Sequence, residues 1–285
     1  MSNIIELASQ LSSQSNAIDF LIANGVISVP LCCEAPMRSD PKRPKIYICC
    51  KYPCRKKKSI VKDTFCGNSN LPVNTILLIA FLWCTGSTHS AIQQQTGVSK
   101  NTVTDWWQYC QELVGMTLEN DKIGGPGIVV EIDESKFGKR KYNSGKRVEG
   151  VWVLGGVERT EERRMFAIAV EDRRKDTLTK FIKRYVKSGS HIITDCWRGY
   201  DTAALAKIGM QHSTVNHTVG FKDPLTGAHT NSIEGNWRGF KQQIPTQHYN
   251  TLFVNGGLDE VTWRRLNKGN EWPKFLEAIR DIRYY

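Results

Sequence analysis

Residues 128–137 read IVVEIDESKF, and this stretch decides the fold of the second half of the chain. The alternation of side chains predicts a β-strand with Val130 and Ile132 on one face. Glu131 and Asp133 lie on the other face. Because an aspartate inside an apolar strand is disfavoured unless it is paired or binds a cation, Asp133 is the first candidate for a functional side chain.

The segments that follow this strand alternate between strand and helix patterns. Residues 151–159 and 164–173 predict two further strands, and residues 176–189 predict an amphipathic helix. Residues 190–195 then predict a short apolar strand that ends in Asp195, which is a second candidate carboxylate. This order of elements predicts an α/β domain.

Residues 229–241, HTNSIEGNWRGFK, predict a helix that brings a third carboxylate. Asn231 and Glu234 have the spacing of a capping pair, in which two side chains bond reciprocally to backbone amides at the start of a helix. We expect Asn231 to cap this helix and Glu234 to act as the third carboxylate, because capping can itself position the glutamate. Asn231 is an alternative metal ligand on the same turn.

Helical spacing divides the same segment into two stripes. The apolar stripe, which we expect to be buried, consists of Ile233, Trp237 and Phe240, and the stripe beside it consists of Glu234, Arg238 and Lys241. Two basic side chains in line with a carboxylate suit a site that holds a phosphodiester. We therefore expect both to contact DNA.

Three carboxylates supplied by two strands and a helix suit a pair of hard divalent cations. In two-metal phosphoryl transfer, one ion activates a water or a 3′ hydroxyl and the other stabilises the leaving oxygen. Trp197 and Arg198 closely follow Asp195, and we expect them to serve local packing and phosphate contact. His229 precedes the third carboxylate and is a further candidate for phosphate contact.

The charge of the whole chain favours a polyanionic partner. The 285 residues carry a net charge of +11 and give a pI near 9.2, and each phosphate that a basic side chain neutralises releases counterions. Charge does not separate an enzyme from a binding module. The sequence contains no apolar run of about 18 residues or more, so no membrane span is expected.

Six of the nine cysteines fall between residues 32 and 66. Clustered cysteines in an intracellular protein favour metal binding over disulfides, and residues 31–71 are too polar to form a core without such help. The spacing departs from the paired Cys-x2-Cys knuckles of a zinc ribbon, and Met37 stands where a thiolate is expected. The alternative is a degenerate knuckle held by packing. We predict Zn²⁺ binding by Cys33, Cys50, Cys54 and Cys66.

Residues 72–122 predict a helix-turn-helix that binds DNA. A buried helix comes first, and residues 90–116 then give a short helix, a turn and a second helix with Ser99 as its N-cap. The first turns of such a second helix contact bases or phosphates. An ordinary helical hairpin is the alternative, because many helix pairs share this period. The residues expected to contact DNA are Lys100, Asn101 and Thr104.

The chain therefore divides into four predicted segments. They are a helical segment over 1–30, the cysteine-rich segment over 31–71, the helix-turn-helix over 72–122 and the α/β domain over 128–285. A glycine-rich linker at 124–127 separates the last two.

Three motifs in this order resemble the DDE transposases of the Merlin superfamily and their bacterial insertion-sequence relatives. They are EIDESKFGKRKYNSGKRVEGVWVLGGVER (131–159), TDCWRGY (194–200) and FKDPLTGAHTNSIEGNWRGFK (221–241). The resemblance extends over residues 128–282 and implies an RNase H-like fold, in which a mixed sheet is flanked by helices. It further implies Mg²⁺ or Mn²⁺ ions at a catalytic triad of Asp133, Asp195 and Glu234.

The resemblance also implies cut-and-paste transposition through terminal inverted-repeat DNA. Element ends and target DNA would be the partners, and we expect a homodimer or higher synaptic assembly because two ends must meet. Two alternatives share the fold: a catalytically silent, domesticated DNA-binding protein, which the presence of all three carboxylates disfavours, and an RNase H-like nuclease. Nuclear residence is expected in a eukaryotic host, and cytoplasmic residence in a bacterial one.

Overall fold

The described part of this computed structural model comprises residues 4–119, 121–138, 150–215, 230–250 and 253–284. The chain divides into two units, one made of Met1–Thr117 with Asn267–Tyr285 and the other of Leu118–Leu266. None of the helices in these ranges is long and apolar enough to cross a membrane.

The first unit begins with two short helices, α1 (Ile4–Gln10) and α2 (Gln14–Ala23). Five short strands follow: β1 (Leu31–Cys32), β2 (Ala35–Pro36), β3 (Arg38–Asp40), β4 (Arg43–Ile48) and β5 (Lys57–Ser59). They pair antiparallel, β1 with β2 and the others as a three-stranded sheet in the order β3-β4-β5. These strands occupy the cysteine-rich segment.

Three helices follow in the same unit: α3 (Val73–Cys84), α4 (His89–Thr96) and α5 (Lys100–Leu118). The helix α3 is apolar on all sides, which is why nearly all of its side chains are buried. Gly97 ends α4 with a φ of 70°, a left-handed conformation that closes the turn before α5. The Ser99 hydroxyl accepts a hydrogen bond from the Thr102 amide at 3.2 Å, which confirms Ser99 as the N-cap of α5.

The second unit is built on a five-stranded mixed sheet. Its elements are β6 (Val129–Phe137), β7 (Val151–Glu158), β8 (Met165–Val170), α6 (Lys175–Tyr185), β9 (His191–Asp195), α7 (Thr202–Lys207), β10 (Gln211–Val215), α8 (Asn231–Gln243), a 3-10 turn (Thr246–His248) and α9 (Val254–Leu266). The strand order is β10-β9-β6-β7-β8. The strands β6, β7 and β8 are antiparallel, whereas β9 runs parallel to both β6 and β10. The predicted mixed sheet with flanking helices is confirmed.

Helices cover both faces of this sheet. On one face, Leu178 of α6 is buried in a core with Ile132 of β6. On the other face, the predicted apolar stripe of α8 is buried against β7. Gly155 leaves room for the Trp237 ring there, because a Cβ at this position would lie 2.5 Å from it. Burial of one such side chain contributes about 1.5–3 kcal/mol, so the stripe holds α8 firmly on the sheet.

The last helix, α10 (Glu271–Asp281), belongs to the first unit, although the sequence placed it in the α/β domain. Its Trp272 ring contacts Phe81 of α3 edge to face, with 5.4 Å between the centroids. The Phe275 ring lies 5.7 Å from the Trp83 ring. The aromatic face of α10 thus finds its partners on α3, a long-range match that the sequence pattern of α10 alone does not specify.

Candidate active site

The structure brings the three predicted carboxylates to one place in the second unit. Asp133 lies in β6, Asp195 ends β9, and Glu234 lies in the first turn of α8. The parallel pairing of β6 with β9 ends with Glu131 opposite Ile193, and the two aspartates follow two residues later on their strands, close enough for the Asp195 charge to raise the pKa of Asp133. The geometry of the sheet therefore places the two aspartates next to each other.

Electrostatics shows that Glu234 belongs to the same site. Burial raises the pKa of the Asp133 carboxyl, and the negative charges of Asp195 and Glu234 raise it further. A hydrogen bond from Trp237 opposes this shift of the Asp133 pKa. Asp133 is thus coupled electrostatically to both of the other carboxylates.

Asp133 is held by the apolar stripe of α8 and not only by its own strand. The indole Nε1 of Trp237 donates a hydrogen bond of 2.8 Å to Oδ2 of Asp133. Helical spacing predicts that Trp237 is buried, which the structure confirms. The spacing does not predict that Trp237 bonds to Asp133. That contact joins residues 104 positions apart, so it depends on how α8 lies on β6.

Asp195 and Glu234 each accept a hydrogen bond from a nearby donor as well. Oδ1 of Asp195 accepts from the backbone amide of Trp197 at 2.9 Å. Oε1 of Glu234 accepts from the Thr230 hydroxyl at 2.7 Å. Each of the three carboxylates therefore has one oxygen fixed by a neighbouring donor, which limits the directions in which it can bind a ligand.

The N-terminus of α8 is not capped by Asn231, which corrects the expectation from the sequence. The helix begins at Asn231, and the preceding Thr230 makes no side-chain bond to its first amides. Instead, Oε2 of Glu131 accepts hydrogen bonds from the amides of Ser232 at 2.8 Å and Ile233 at 3.2 Å. A carboxylate satisfies the unpaired amides and the positive end of the helix together, which a neutral asparagine does less well.

Glu131 is itself completely buried and paired. Its Oε1 accepts a hydrogen bond of 2.7 Å from Nε of Arg159, at the end of the neighbouring strand β7. Buried carboxylates persist when ion pairs and hydrogen bonds satisfy them, and Glu131 has both. The sequence placed Glu131 on the face of Asp133 but gave it no role. The two amides that it binds lie 101 and 102 positions away.

Lys241 lies beside the carboxylates, on the last turn of α8. Its Nζ donates a hydrogen bond of 2.7 Å to the Ser135 hydroxyl and lies 5.2 Å from the centre of the Phe137 ring. Burial lowers the pKa of the Lys241 ammonium, and the nearby Asp133 partly restores it. A cation is thus present where the sequence predicted one.

Two of the three other residues predicted to contact DNA near the site belong to the described part of the chain. Arg198 and Arg238 are both exposed, as phosphate contacts require. Asn231, the alternative metal ligand, is also exposed, two turns before Arg238. His229 lies outside the described residues.

A fourth acidic side chain, Glu134, follows Asp133 on the opposite face of β6, close enough to be affected by its charge, and was missed by the sequence. Burial raises the pKa of its carboxyl to about 7, and the charges of Asp133 and Asp195 add to the shift. The Tyr200 hydroxyl beside it opposes the shift, without forming a well-aligned hydrogen bond to Oε1 of Glu134. The alternation of β6 assigns Glu134 to the inner face with Ile132, and an acidic residue at such a position is the signal that could have been used.

The donor set of this site fits hard divalent cations. Asp133 is largely buried and is affected by the negative charges of Asp195 and Glu234, so a cation bound to it would offset both the desolvation and the repulsion. Ligands that are all oxygen suit Mg²⁺ and Mn²⁺.

In the first unit, four thiols meet in a single cluster of Cys32, Cys33, Cys49 and Cys54, whose sulfur atoms all lie within 4.8 Å of one another. The Sγ atom of Cys32 is 3.9 Å from that of Cys33 and 3.7 Å from that of Cys54. Tetrahedral Zn²⁺, with Zn–S bonds of about 2.3 Å, holds its sulfur ligands about 3.8 Å apart. The spacing of these thiols therefore suits zinc.

Two members of this cluster differ from the predicted set. Cys33 and Cys54 are in it, whereas Cys50 is exposed and Cys66 is fully buried elsewhere, where burial raises the pKa of its thiol to about 12. Cys49, just after β4, is buried and turns toward the cluster, so its neighbour Cys50 turns outward. A shift of one position separates the predicted Cys50 from the observed Cys49, whereas the buried Cys66 is replaced in the cluster by Cys32, far from it in sequence.

The residues predicted to read DNA in the first unit lie at the start of α5. Lys100 and Asn101 are exposed, and Thr104 is half-buried with its hydroxyl donating to the Lys100 carbonyl at 3.1 Å. Two of the three side chains are thus accessible to a partner.

Comparison with known families finds a match in the second unit. Residues 123–265 match the family described as the ISXO2-like transposase domain. No curated protein matches the chain.

Among solved structures, a pre-cleavage Mos1 transpososome matches with 8% identity over 73% of this chain and 78% of that chain, at a TM-score of 0.21. The Mos1 strand transfer complex matches with 9% identity over the same shares, at a TM-score of 0.23. Similarity at this level adds nothing to the description of the fold.

Proposed function

The chain belongs to the ISXO2-like transposase family, and on that premise we propose that it is a metal-dependent DNA transposase with Asp133, Asp195 and Glu234 as its catalytic triad. The observation that supports the proposal is the buried Asp133 carboxyl on β6, whose pKa is raised by burial and by the negative charges of Asp195 at the end of β9 and Glu234 on α8. Such a cluster is unfavourable by itself and becomes favourable when it binds cations.

The triad would hold two Mg²⁺ or Mn²⁺ ions. When bound, such ions lower the pKa of an attacking water or 3′ hydroxyl and neutralise charge on the leaving oxygen. The protein contributes the orientation of the ligands. Trp237 fixes Asp133, the Trp197 amide fixes Asp195, and Thr230 fixes Glu234.

Basic side chains around the triad would hold the DNA backbone. Lys241 lies close enough to Asp133 for the carboxylate charge to raise the pKa of the Lys241 ammonium. Arg198, three residues after Asp195, and Arg238, four residues after Glu234, are both exposed. These side chains suit the phosphates on either side of the one that reacts. They would position the strand without reading its sequence.

Recognition of the element ends would belong to the first unit. The helices α4 and α5 are proposed to act as a helix-turn-helix, with Lys100, Asn101 and Thr104 at the DNA. Zn²⁺ bound by the four clustered thiols would stabilise the cysteine-rich segment, as structural zinc does in small polar folds. Terminal inverted repeats are the proposed ligand, and a dimer or larger synaptic assembly would bring two of them together for cut-and-paste transposition.

The test is strand cleavage and strand transfer on duplexes that carry the terminal inverted repeats of the element, in Mg²⁺. We expect Asp133→Ala, Asp195→Ala and Glu234→Ala each to lower cleavage by at least about 10²-fold, the scale on which loss of one charge-stabilising group acts. Glu161→Ala is the matched control, because Glu161 is an exposed carboxylate of the same unit. It is expected to cleave like the wild type.

Three other outcomes would contradict parts of this proposal. Full activity in one triad variant would remove that residue from the triad. Binding of the ends without cleavage by the wild type would favour a catalytically silent DNA-binding protein. Cleavage without strand transfer would favour a nuclease.

A further inference from the structure

A row of aromatic and cationic side chains runs from the sheet to the surface beside Asp195. The guanidinium carbon of Arg173 lies 3.8 Å from the centre of the Trp152 ring and 4.3 Å from the centre of the Trp197 ring. Arg173 is therefore held between two indoles, each close enough for a cation–π interaction. Trp152 belongs to β7, so one end of the row is anchored in the sheet.

The other end of the row, Trp197, is exposed. Its side chain is 42% accessible, which is unusual among the large apolar residues of this unit. A tryptophan that serves only to pack would be expected to bury most of its surface. In Trp197, the ring is in contact with Arg173 and still presents a large apolar surface to solvent.

One contact with the ring, one hydrogen bond of its backbone and the space left by a glycine restrict the position of this exposed ring. The Trp197 amide donates to Oδ1 of Asp195 at 2.9 Å, so the backbone is tied to the carboxylate. Arg173 contacts the ring itself. Gly199 provides the space, because a Cβ there would collide with the Trp197 ring and lie 2.7 Å from the Arg173 carbonyl oxygen. An exposed ring held this firmly loses little conformational entropy when it binds a ligand.

We propose that Trp197 stacks on an unpaired nucleobase of the DNA strand whose phosphate lies at the Asp133–Asp195–Glu234 site. Every base has a π-face, so aromatic stacking holds single-stranded nucleotides without specifying their sequence. A base that leaves the helix beside the reacting phosphate lets the backbone approach a recessed site, and a stacking ring stabilises that extruded state. Arg173 positions Trp197 and adds a positive charge next to the strand.

This inference rests on the proposed function, since it needs a DNA phosphate at the triad. It differs from the expectation from the sequence, which gave Trp197 a role in packing. The difference comes from the exposure of the ring and from the Arg173 contact, and neither is visible in TDCWRGY alone.

The first experiment compares cleavage of fully paired ends with cleavage of ends that carry a mismatch or an abasic site next to the scissile phosphate. On paired ends, Trp197→Ala is expected to lower the rate by about 5-fold to about 150-fold, which corresponds to a stacking free energy of roughly 1–3 kcal/mol. Trp197→Phe keeps a stacking ring and is expected to retain most of the rate. On mismatched or abasic ends, the defect of Trp197→Ala is expected to shrink, because the base is already unpaired.

A matched control separates stacking from a general loss of aromatic surface. Phe253 is 43% exposed in the same unit and contacts the His248 ring. Phe253→Ala is expected to cleave both kinds of end like the wild type. The Mg²⁺ concentration for half-maximal cleavage is measured for every variant, and for Trp197→Ala it is expected to stay unchanged.

The second experiment reads the contact directly. Ends with 5-iododeoxyuridine at each of the nucleotides that flank the scissile phosphate are irradiated in complex with the wild type, and the cross-linked residue is identified by mass spectrometry. An adduct on Trp197 supports the inference. Adducts only on other residues would overturn it.

The outcomes distinguish the two proposals. An equal defect of Trp197→Ala on paired and mismatched ends, or a raised Mg²⁺ requirement, would show that Trp197 merely orients Asp195, and the inference would be withdrawn. If the wild type binds ends but never cleaves them, the proposed function fails, and the cross-link alone then decides whether Trp197 stacks on a base.

Discussion

The carboxylate of Glu131 accepts a hydrogen bond of 2.8 Å from the backbone amide of Ser232, so the strand β6 itself closes the N-terminus of the helix α8. Both partners lie two positions before a residue of the proposed triad, Asp133 in the strand and Glu234 in the helix. The bond therefore sets the distance between the elements that carry these two carboxylates. Two further hydrogen bonds join α8 to β6, one from Trp237 to Asp133 and one from Lys241 to Ser135.

We predict that Glu131→Ala is strongly destabilising. It leaves the Arg159 guanidinium and two helix amides without their partner, and breaking a buried pair in this way costs about 3–5 kcal/mol. Glu131→Gln keeps the shape and one acceptor, and we expect a loss of about 1–3 kcal/mol. The measurement is the free energy of unfolding from denaturant titration. Glu162→Gln, an exposed carboxylate, is the control and should change it by less than about 0.5 kcal/mol.

Glu131→Gln should also weaken divalent metal binding, because α8 then holds Glu234 less firmly. Replacing residues that orient metal ligands typically lowers affinity by about 10-fold to 100-fold. Titration of Mn²⁺ into folded protein measures this. Unchanged Mn²⁺ affinity in a folded Glu131→Gln variant would mean that the Glu131–Ser232 bond stabilises the fold and does not position the triad.

Trp237→Phe tests the hydrogen bond to Asp133 while keeping an aromatic ring in the space beside Gly155. The indole donor lowers the pKa of the Asp133 carboxyl, so its removal is expected to raise that pKa further and to weaken Mn²⁺ binding by about 10-fold to 100-fold. Phe240→Leu is the matched control, since Phe240 is buried on the same helix. It should lower stability by roughly 1 kcal/mol with no change in Mn²⁺ affinity. Equal affinities in both variants would remove Trp237 from the metal site.

The parts of this site that the sequence predicts are those fixed by local periodicity. The alternation in β6 and the strand end at Asp195 suffice to single out the two aspartates, because a carboxylate in an apolar strand is disfavoured unless it is paired or binds a cation. The helical stripe predicts that Trp237 is buried. By contrast, the cap from Glu131 to Ser232 depends on how α8 lies on β6. That placement results from packing of the whole unit, which local patterns do not encode.

The cysteine cluster also shows that local sequence patterns do not determine which neighbouring side chain faces a site. Composition is enough to single out the thiols between residues 32 and 66, and four of them lie in one cluster. Which of the adjacent Cys49 and Cys50 turns inward depends on the register of β4, and the prediction took the wrong one of the two. The aromatic match between α10 and α3 was missed for a related reason, since it joins the two ends of the first unit.

The adjacent cysteines give a direct test of zinc binding. We predict that Cys49→Ser loses bound zinc, because a tetrahedral site with three thiolates binds more weakly. Cys50→Ser is the matched control and should keep one zinc per chain, since its thiol is exposed outside the cluster. Zinc content is measured by elemental analysis of purified protein. Equal zinc in the two variants, or none in the wild type, would contradict the assignment.

The last prediction concerns the pH dependence of stability and the half-buried Asp259 of α9. Burial raises the pKa of its carboxyl from 3.8 to about 7, and the negative charge of Glu119 adds to the shift. Between these two pKa values the folded chain holds a proton that the unfolded chain has released, so this group makes the protein less stable as the pH rises from about 4 to about 7. Since each unit of pKa is about 1.36 kcal/mol, and the side chain is partly accessible, we expect a loss on the order of 2 kcal/mol.

Asp259→Asn removes this titration while keeping the size of the side chain. The variant is expected to be more stable than the wild type at pH 8, by on the order of 2 kcal/mol, and to differ little from it at pH 4, where both side chains are neutral in the folded state. Unfolding by denaturant at pH 4, 6 and 8 measures the difference, with the exposed Asp176→Asn as the control. A stability gap between Asp259→Asn and the wild type that stays constant over this range would show that Asp259 does not titrate there, and that its neighbourhood in α9 compensates for the burial of its charge.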